Sequence, residues 1–509
     1  MRFLLTTMAF LLAVSSQAQA YKKELKQLDA YFSKALTDWN VPGMAVAIVK
    51  DGETIFAKGY GVRSVDSSEP VDANTAFAIA SNSKAVTAAA LAMLVDEGKL
   101  QWDDKVQQYL PWFQLYDPYV SANLTIRDLL CHRSGLETFS GDLLWYASTY
   151  SRREVLERAR FLKPKYGFRE QFGYQNILFL VAGEIVSEVS GMSWDDFVKE
   201  RIIRPLEMQN THLSVNGIVR GVNASSPHNE KNGKNEVIDW VNWDNIGPAG
   251  SIITSVNDWS AWLKLQLAEG TLGGKTYWDS TRTREMWTLH TPQAISKGRQ
   301  EIYPTMTFKG YGLGWELFGH HGRKVVAHGG GYDGFISRSA MVPEEGLGMI
   351  IVTNNNSSLS YAMSYRILDV MLGVKDPTDW SALFLELTKG GDEADDPNKV
   401  NGIDRRADTA PSQGLKTYAG TYRDEMYGDI EVRLVGDQLV FQFAPTPLFR
   451  GTLRHYHFDT FQIVWGTRMM LPTGLVRFAL GNDGLSAELH VDVPNPDFDF
   501  TELIFRKLD

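Results

Sequence analysis

The 509-residue chain has a single cysteine, Cys131, so no disulfide can form within it. After residue 20 no stretch approaches the roughly 18 consecutive apolar residues that a membrane-spanning helix requires. Positive charge is in deficit: 51 Lys+Arg stand against 61 Asp+Glu, a formal net charge of −10. That balance argues against charge-driven, non-specific binding to nucleic acid or to an anionic membrane surface, and leaves a small-molecule or peptide partner open. The oligomeric state is not readable from these features. Metal-ligand spacing is missing too. There is no His-Glu-x-x-His and no paired-cysteine pattern, and the adjacent His320 and His321 read as loop histidines, so neither metal nor cofactor is expected. Repeats of solenoid length are also absent.

What is present begins with a targeting segment. MRFLLTTMAFLLAVSSQAQA, residues 1–20, has Arg2 near its start, an apolar stretch from Phe3 to Val14, and the small-residue cleavage pattern Ala18-Gln19-Ala20. The mature chain is expected to start at Tyr21, without a cysteine for lipid attachment, in the periplasm or outside the cell. Cys131 stands beside His132, but neighbours in a helix do not face each other, and a lone cysteine is usually a small buried hydrophobe.

The length calls for two domains. Residues 43–61 read as a hairpin around Asp51-Gly52, and FISRSAMVP and LGMIIVTN read as a second strand pair joined at Glu-Glu-Gly. Helical patterns lie between, at 84–97, 151–162, 176–190 and 255–268. Strands from both ends that bracket helices predict an α+β domain with an antiparallel sheet over 21–375. A connection follows over 376–411, rich in Gly, Asp and Pro from 389 onwards. Residues 412–509 predict a small all-β barrel: Ile430, Val432 and Leu434 alternate with polar residues, Gly436-Asp437 turns, and further strand-like runs lie at 461–465, 475–480, 486–491 and 501–506.

Three short patterns carry chemistry. Ser81 and Lys84 sit one turn apart at the mouth of an apolar helix, so the lysine can reach the hydroxyl and help remove its proton. The alternative is a Ser81 helix cap with Lys84 on the wet face. Tyr174 and Asn176 precede a second helix and offer a phenol for proton transfer and an amide for a carbonyl, or simply a capped helix start. His328 with Gly329, Gly330 and Gly331 ends an apolar run, where glycines admit close approach of a substrate and a backbone N–H can meet an oxyanion; the alternative is a tight turn.

In order and context, Ser-x-x-Lys, Tyr-x-Asn and His-Gly-Gly resemble the serine hydrolase family of class C β-lactamases, D-Ala-D-Ala peptidases, D-amino-acid peptidases and related esterases. TIRDLLCHRSGL, GPAGSIITSVNDWSAWL and YGLGWEL look like signatures of the same family, and the resemblance spans about residues 25–372. Residues 412–509 resemble the lipocalin-like barrel often appended in this family. The resemblance implies Ser81 as acyl-enzyme nucleophile, Lys84 as its electrostatic and proton-relay partner, and Tyr174 as general base. It implies Asn176 as a ligand for the substrate amide and the backbone N–H groups of Ser81 and Gly331 as the oxyanion hole, with His328 and Gly330 lining the cleft. His328 stands where lactamases and many peptidases carry lysine, which favours an esterase or peptidase over an efficient β-lactamase. Gln175 replaces the commoner serine of Tyr-Ser-Asn. A lipase of the α/β-hydrolase type is excluded, because its Gly-x-Ser-x-Gly occurs nowhere. The remaining rival is a non-catalytic cell-wall or ligand-binding protein on the same fold. Trp240 and Trp243 are candidates for an apolar acyl pocket or for core packing.

Overall fold

A computed structural model describes residues 20–218, 221–388, 398–466, 471–495 and 497–508. The expected targeting segment, residues 1–20, lies outside them except for its last residue. The chain forms two compact units that do not follow linear order. One takes in the described residues of Met1–Asp104, Ala182–Trp240 and Gly247–Gly390; the other takes in those of Lys105–Val181, Val241–Ile246 and Gly391–Asp509.

In the first unit, helix α1 (Lys22–Asp38) leads into β1 (Gly43–Lys50) and β2 (Glu53–Gly61). Asp51 and Gly52 have φ of 49° and 81°, the paired left-handed conformations of a type I′ hairpin turn, as their sequence requires. The chain returns to this sheet through β3 (Thr291–Pro292), β4 (Lys309–Tyr311), β5 (Glu316–His320), β6 (Arg323–Tyr332), β7 (Phe335–Val342) and β8 (Leu347–Thr353). The eight strands lie in the order β2-β1-β8-β7-β6-β5-β4-β3, and each neighbouring pair is antiparallel, with Met44 opposite Thr353 where the two ends of the unit meet.

Residues 43–49 of β1 are all buried, because helices cover both faces of the sheet. Met44, Val46 and Ile48 pack with Leu28 and Phe32 of α1 and with Ala362 and Met363 of a later helix, Leu359–Met371. On the other face, Leu263 and Leu267 of the helix Val256–Leu267 lie over Gly348 of β8. The helix that follows Ser81, α2 (Ser83–Asp96), is mostly apolar and buried through Val95. Within the stretch expected to be a connection, Trp380–Thr388 is helical, with Trp380 stacked on Tyr365.

In the second unit, eight strands, here β9 (Gly420–Asp424), β10 (Gly428–Val435), β11 (Gln438–Phe443), β12 (Arg450–His457), β13 (Thr460–Trp465), β14 (Leu475–Leu480), β15 (Ser486–Asp492) and β16 (Phe505–Lys507), close a barrel. Ile430 and Val432 face its core as their alternation requires, alongside Phe441, Phe461 and Phe478. The expected strand at 501–506 is shorter: a 3₁₀ turn occupies Phe500–Glu502, and β16 begins at Phe505. Among the described residues, no single helix is long and apolar enough to cross a membrane.

Candidate active site

In the first unit the backbone turns sharply before Ser81. Ala80 has φ of 45°, a left-handed conformation that residues with a Cβ rarely adopt. Local hydrogen bonds hold it there. The Ser83 hydroxyl donates to the Ala80 carbonyl at 2.7 Å, and Asn82 Nδ2 donates to Ser337 Oγ at 2.8 Å. Ser81 lies in the 3₁₀ turn Ala80–Asn82 that runs directly into α2. Lys84 occupies the first turn of α2 with no solvent exposure, and its Nζ donates to Ser81 Oγ and to the Ala249 carbonyl, each at 3.0 Å. A surface lysine beside a capping serine is thereby overturned. The lysine is buried, and the residue at the cap position is Asn82, which makes no side-chain cap.

Strand β6 passes close to this turn because of its glycines. A Cβ on Gly330 would lie 2.1 Å from the Ile79 carbonyl oxygen, and one on Gly329 would lie 1.8 Å from the Tyr361 hydroxyl. At Gly330 the obstacle is backbone, so only glycine fits, whereas a Cβ at Gly329 would push the Tyr361 side chain aside. Gly331 is different: it is exposed, and the nearest atom to its absent Cβ is Ile336 Cδ1 at 3.6 Å, an ordinary contact distance. The glycines expected to end an apolar run therefore lie within a continuous strand rather than in a turn.

His328 is 2 % exposed. Its Nδ1 lies 2.6 Å from the Gly329 carbonyl oxygen and its Nε2 lies 2.6 Å from the Tyr311 hydroxyl. This pairing fits a neutral ring that donates from Nδ1 and accepts at Nε2. Burial, reinforced by the nearby Lys84 charge and opposed by Glu316, pushes its pKa down to about 4. Glu316 accepts from Arg338 Nη1 at 2.7 Å. Burial works against the Glu316 carboxylate, but the Arg338 guanidinium prevails and holds its carboxyl below the usual range.

The second unit carries Tyr174 and Asn176, and a loop over 132–142 fixes both. Gln175 N–H donates to His132 Nδ1 at 3.0 Å, and the His132 ring lies 4.3 Å from that of Tyr174. Tyr174 N–H donates to Thr138 Oγ1 at 3.1 Å, and Phe139 N–H donates to the Tyr174 carbonyl at 2.9 Å. The Gln175 side chain donates to the Glu137 carbonyl, so the residue that departs from the family pattern helps to anchor the turn. Asn176 Nδ2 donates to Asp142 Oδ2 at 2.5 Å. Nothing in the spacing of His132 and Asp142 ties them to residues 174–176, so the sequence alone does not point to them. Cys131 is buried as expected.

The barrel belongs to this same unit and holds the loop from behind. Glu502 accepts from the Gly141 N–H at 3.0 Å and from the Ser140 hydroxyl, and Tyr146 packs on Phe498 at 4.5 Å between ring centres. Of the two candidate pocket tryptophans, Trp240 packs on Phe335 in the first unit and Trp243 on Trp145 in the second.

Residues 28–370 match the family described as Beta-lactamase. The chain belongs to that family. It is thus a member of the serine hydrolase superfamily of β-lactamases and penicillin-binding proteins. Residues 404–507 match a domain of unknown function, DUF3471. Among family relatives, unguisins hydrolase ungD of Aspergillus violaceofuscus (strain CBS 115571) is 29 % identical over 427 residues, 79 % of this chain and 75 % of that protein. Protein flp of Staphylococcus aureus (strain COL) is 28 % identical over 342 residues, 65 % of this chain and 63 % of that protein. The octameric penicillin-binding protein homologue from Pyrococcus abyssi superposes with a TM-score of 0.62 at 20 % identity, covering 95 % of this chain and 100 % of that one. SurE superposes with a TM-score of 0.55 at 19 % identity, covering 96 % and 100 %. At these identities the two structures speak for the fold alone.

Proposed function

We propose that the protein is an exported hydrolase that cleaves esters or amide and peptide bonds through an acyl-enzyme on Ser81. The observation that carries this reading is the 3.0 Å hydrogen bond from the wholly buried Lys84 Nζ to Ser81 Oγ, behind the strained Ala80. A buried lysine aimed at a serine hydroxyl has little structural purpose and a clear chemical one.

Ser81 Oγ attacks the substrate carbonyl carbon, Lys84 assists the loss of its proton, and Tyr174 accepts that proton in the general-base role that the family resemblance implies. The backbone N–H groups of Ser81 and Gly331 receive the oxyanion, and the Asn176 amide binds the substrate amide. The carbonyl carbon's bond to the leaving oxygen or nitrogen then breaks, and that atom takes the proton from Tyr174. Water hydrolyses the ester on Ser81 with the same groups in reverse. The name of the fungal relative, a hydrolase of unguisins, supports hydrolysis without fixing this protein's acyl donor. The neutral His328 supports esters or peptides over β-lactams, because it offers no fixed charge to a substrate carboxylate. Export rests on the segment 1–20.

A hydrolysis panel tests the reading: a short-chain nitrophenyl ester, a D-alanyl anilide, a D-Ala-D-Ala peptide and a chromogenic cephalosporin, with wild type and Ser81→Ala. Turnover of one class, lost by several orders of magnitude in Ser81→Ala, supports it and names the substrate class. No turnover, or turnover that Ser81→Ala retains, favours a binding protein on this fold.

A further inference from the structure

His320 and His321 close the hairpin between β5 and β6, and Asp369 comes to them from the helix Leu359–Met371. None of the three belongs to the hydrolytic constellation. His320 Nε2 lies 2.8 Å from Asp369 Oδ1, His321 Nε2 lies 3.6 Å from the same oxygen, and all three candidate ligand atoms fall within 4.8 Å of one another. We propose that these residues form a binding site for a borderline divalent cation of the zinc type, which staples the β5–β6 hairpin to the helix Leu359–Met371.

The distances fit such an ion. Ligands at about 2.0–2.1 Å around a tetrahedral centre lie roughly 3.3 Å apart. The two nitrogen–oxygen separations bracket that spacing and the third pair lies within 4.8 Å, so small ring rotations would open the direct hydrogen bond into a coordination gap. Two imidazoles and one carboxylate suit zinc and its neighbours; magnesium and calcium prefer oxygen alone.

The surroundings also fit. Trp380 Nε1 donates to Asp369 Oδ2 at 2.7 Å, which leaves Oδ1 to face the histidines. His320 Nδ1 lies 3.4 Å from Thr305 Oγ1, so a proton on Nδ1 has a partner and Nε2 is left as the donor atom to the metal. Asp369 and His320 are 1 % and 3 % exposed, whereas the His321 side chain is 34 % exposed and provides an entry path and a position for a bound water. Both histidines would bind as neutral imidazoles and Asp369 as a carboxylate, so coordination itself makes or breaks no covalent bond.

The backbone adds an independent observation. His320 pairs with Arg323, so His321 and Gly322 form a two-residue turn with φ of 45° and 76°. Such a turn favours Asn-Gly. Histidine in its first position adopts the left-handed region at a cost, and in return its ring faces Asp369.

The test uses the full chain after treatment with a chelator. Zinc is titrated in competition with a chromogenic chelator, and cobalt is added separately to read its visible d–d bands. Wild type should take up one zinc per chain, show tetrahedral cobalt absorption and gain thermal stability with zinc. His321→Asn preserves the turn, so its metal-free melting temperature should equal or exceed that of wild type, while its zinc affinity falls at least ~10-fold. Absence of saturable zinc binding by wild type, or unchanged affinity in His321→Asn, would overturn the proposal. Neither result bears on Ser81, so failure here leaves the hydrolase reading standing.

Discussion

Asn176 donates its side-chain amide to Asp142 Oδ2 at 2.5 Å, and Trp145 Nε1 holds the other oxygen of that carboxylate at 2.8 Å. The pair settles which way the Asn176 amide points: its NH₂ faces Asp142, and its orientation is fixed before any substrate arrives. Asp142→Asn places a second amide where an acceptor was, and the Asn176 amide loses its anchor. We expect kcat/KM to fall about 10-fold or more, the loss of one charge-assisted hydrogen bond, with the fold retained. Steady-state kinetics with a melting curve check it.

Glu502 reaches from the barrel to the other side of the same loop, where it accepts from Gly141 and Ser140. Burial raises its carboxyl above the usual range, with these hydrogen bonds opposing. Glu502→Ala should lower kcat more than it raises KM, since it loosens the loop that holds Tyr174 and Asn176. Glu502→Gln keeps one acceptor and should recover part of the loss. Equal kcat in Glu502→Ala and wild type would separate the barrel from the chemistry.

His328 is buried and neutral at the position where the family resemblance implies lysine in β-lactamases. His328→Lys places an ammonium beside Tyr311 and Glu316 and should raise any turnover of a chromogenic cephalosporin, whose carboxylate it can meet. An unchanged cephalosporin rate would remove the argument that this position disfavours β-lactams.

The same residue gives a pH dependence. Its pKa is about 4 in the fold against an ordinary value of 6.5, so as pH falls the unfolded chain takes the proton first. Its contribution to stability is complete above pH 6.5 and is lost as pH drops towards 4, by roughly 3 kcal/mol at the limit. Urea denaturation between pH 7 and 5 should show this loss in wild type and a weaker one in His328→Asn, once their stabilities at pH 7 are matched.

Much of the fold was legible because its signals are local. The Asp51-Gly52 turn fixes a hairpin by backbone conformation alone, and alternation at Ile430 and Val432 assigns barrel faces residue by residue. The Ser81–Lys84 contact was legible too, since one helical turn fixes it. What stayed hidden depends on distant packing. His132 and Asp142 meet the Tyr174–Asn176 turn through a loop with no periodicity, and Glu502 arrives from the far end of the chain. For the glycines of β6 the sequence left a strand edge and a tight turn both open; the close approach of the Ile79 backbone, which requires glycine at 330, appears only in three dimensions.

The central claim is that Ser81 becomes covalently acylated, and intact-protein mass spectrometry tests it most directly. A fluorophosphonate reagent, which labels activated serine nucleophiles, should add one adduct to wild type, mapped by peptide analysis to Ser81 and absent from Ser81→Ala. No adduct on wild type, or an adduct that persists in Ser81→Ala, would contradict the account.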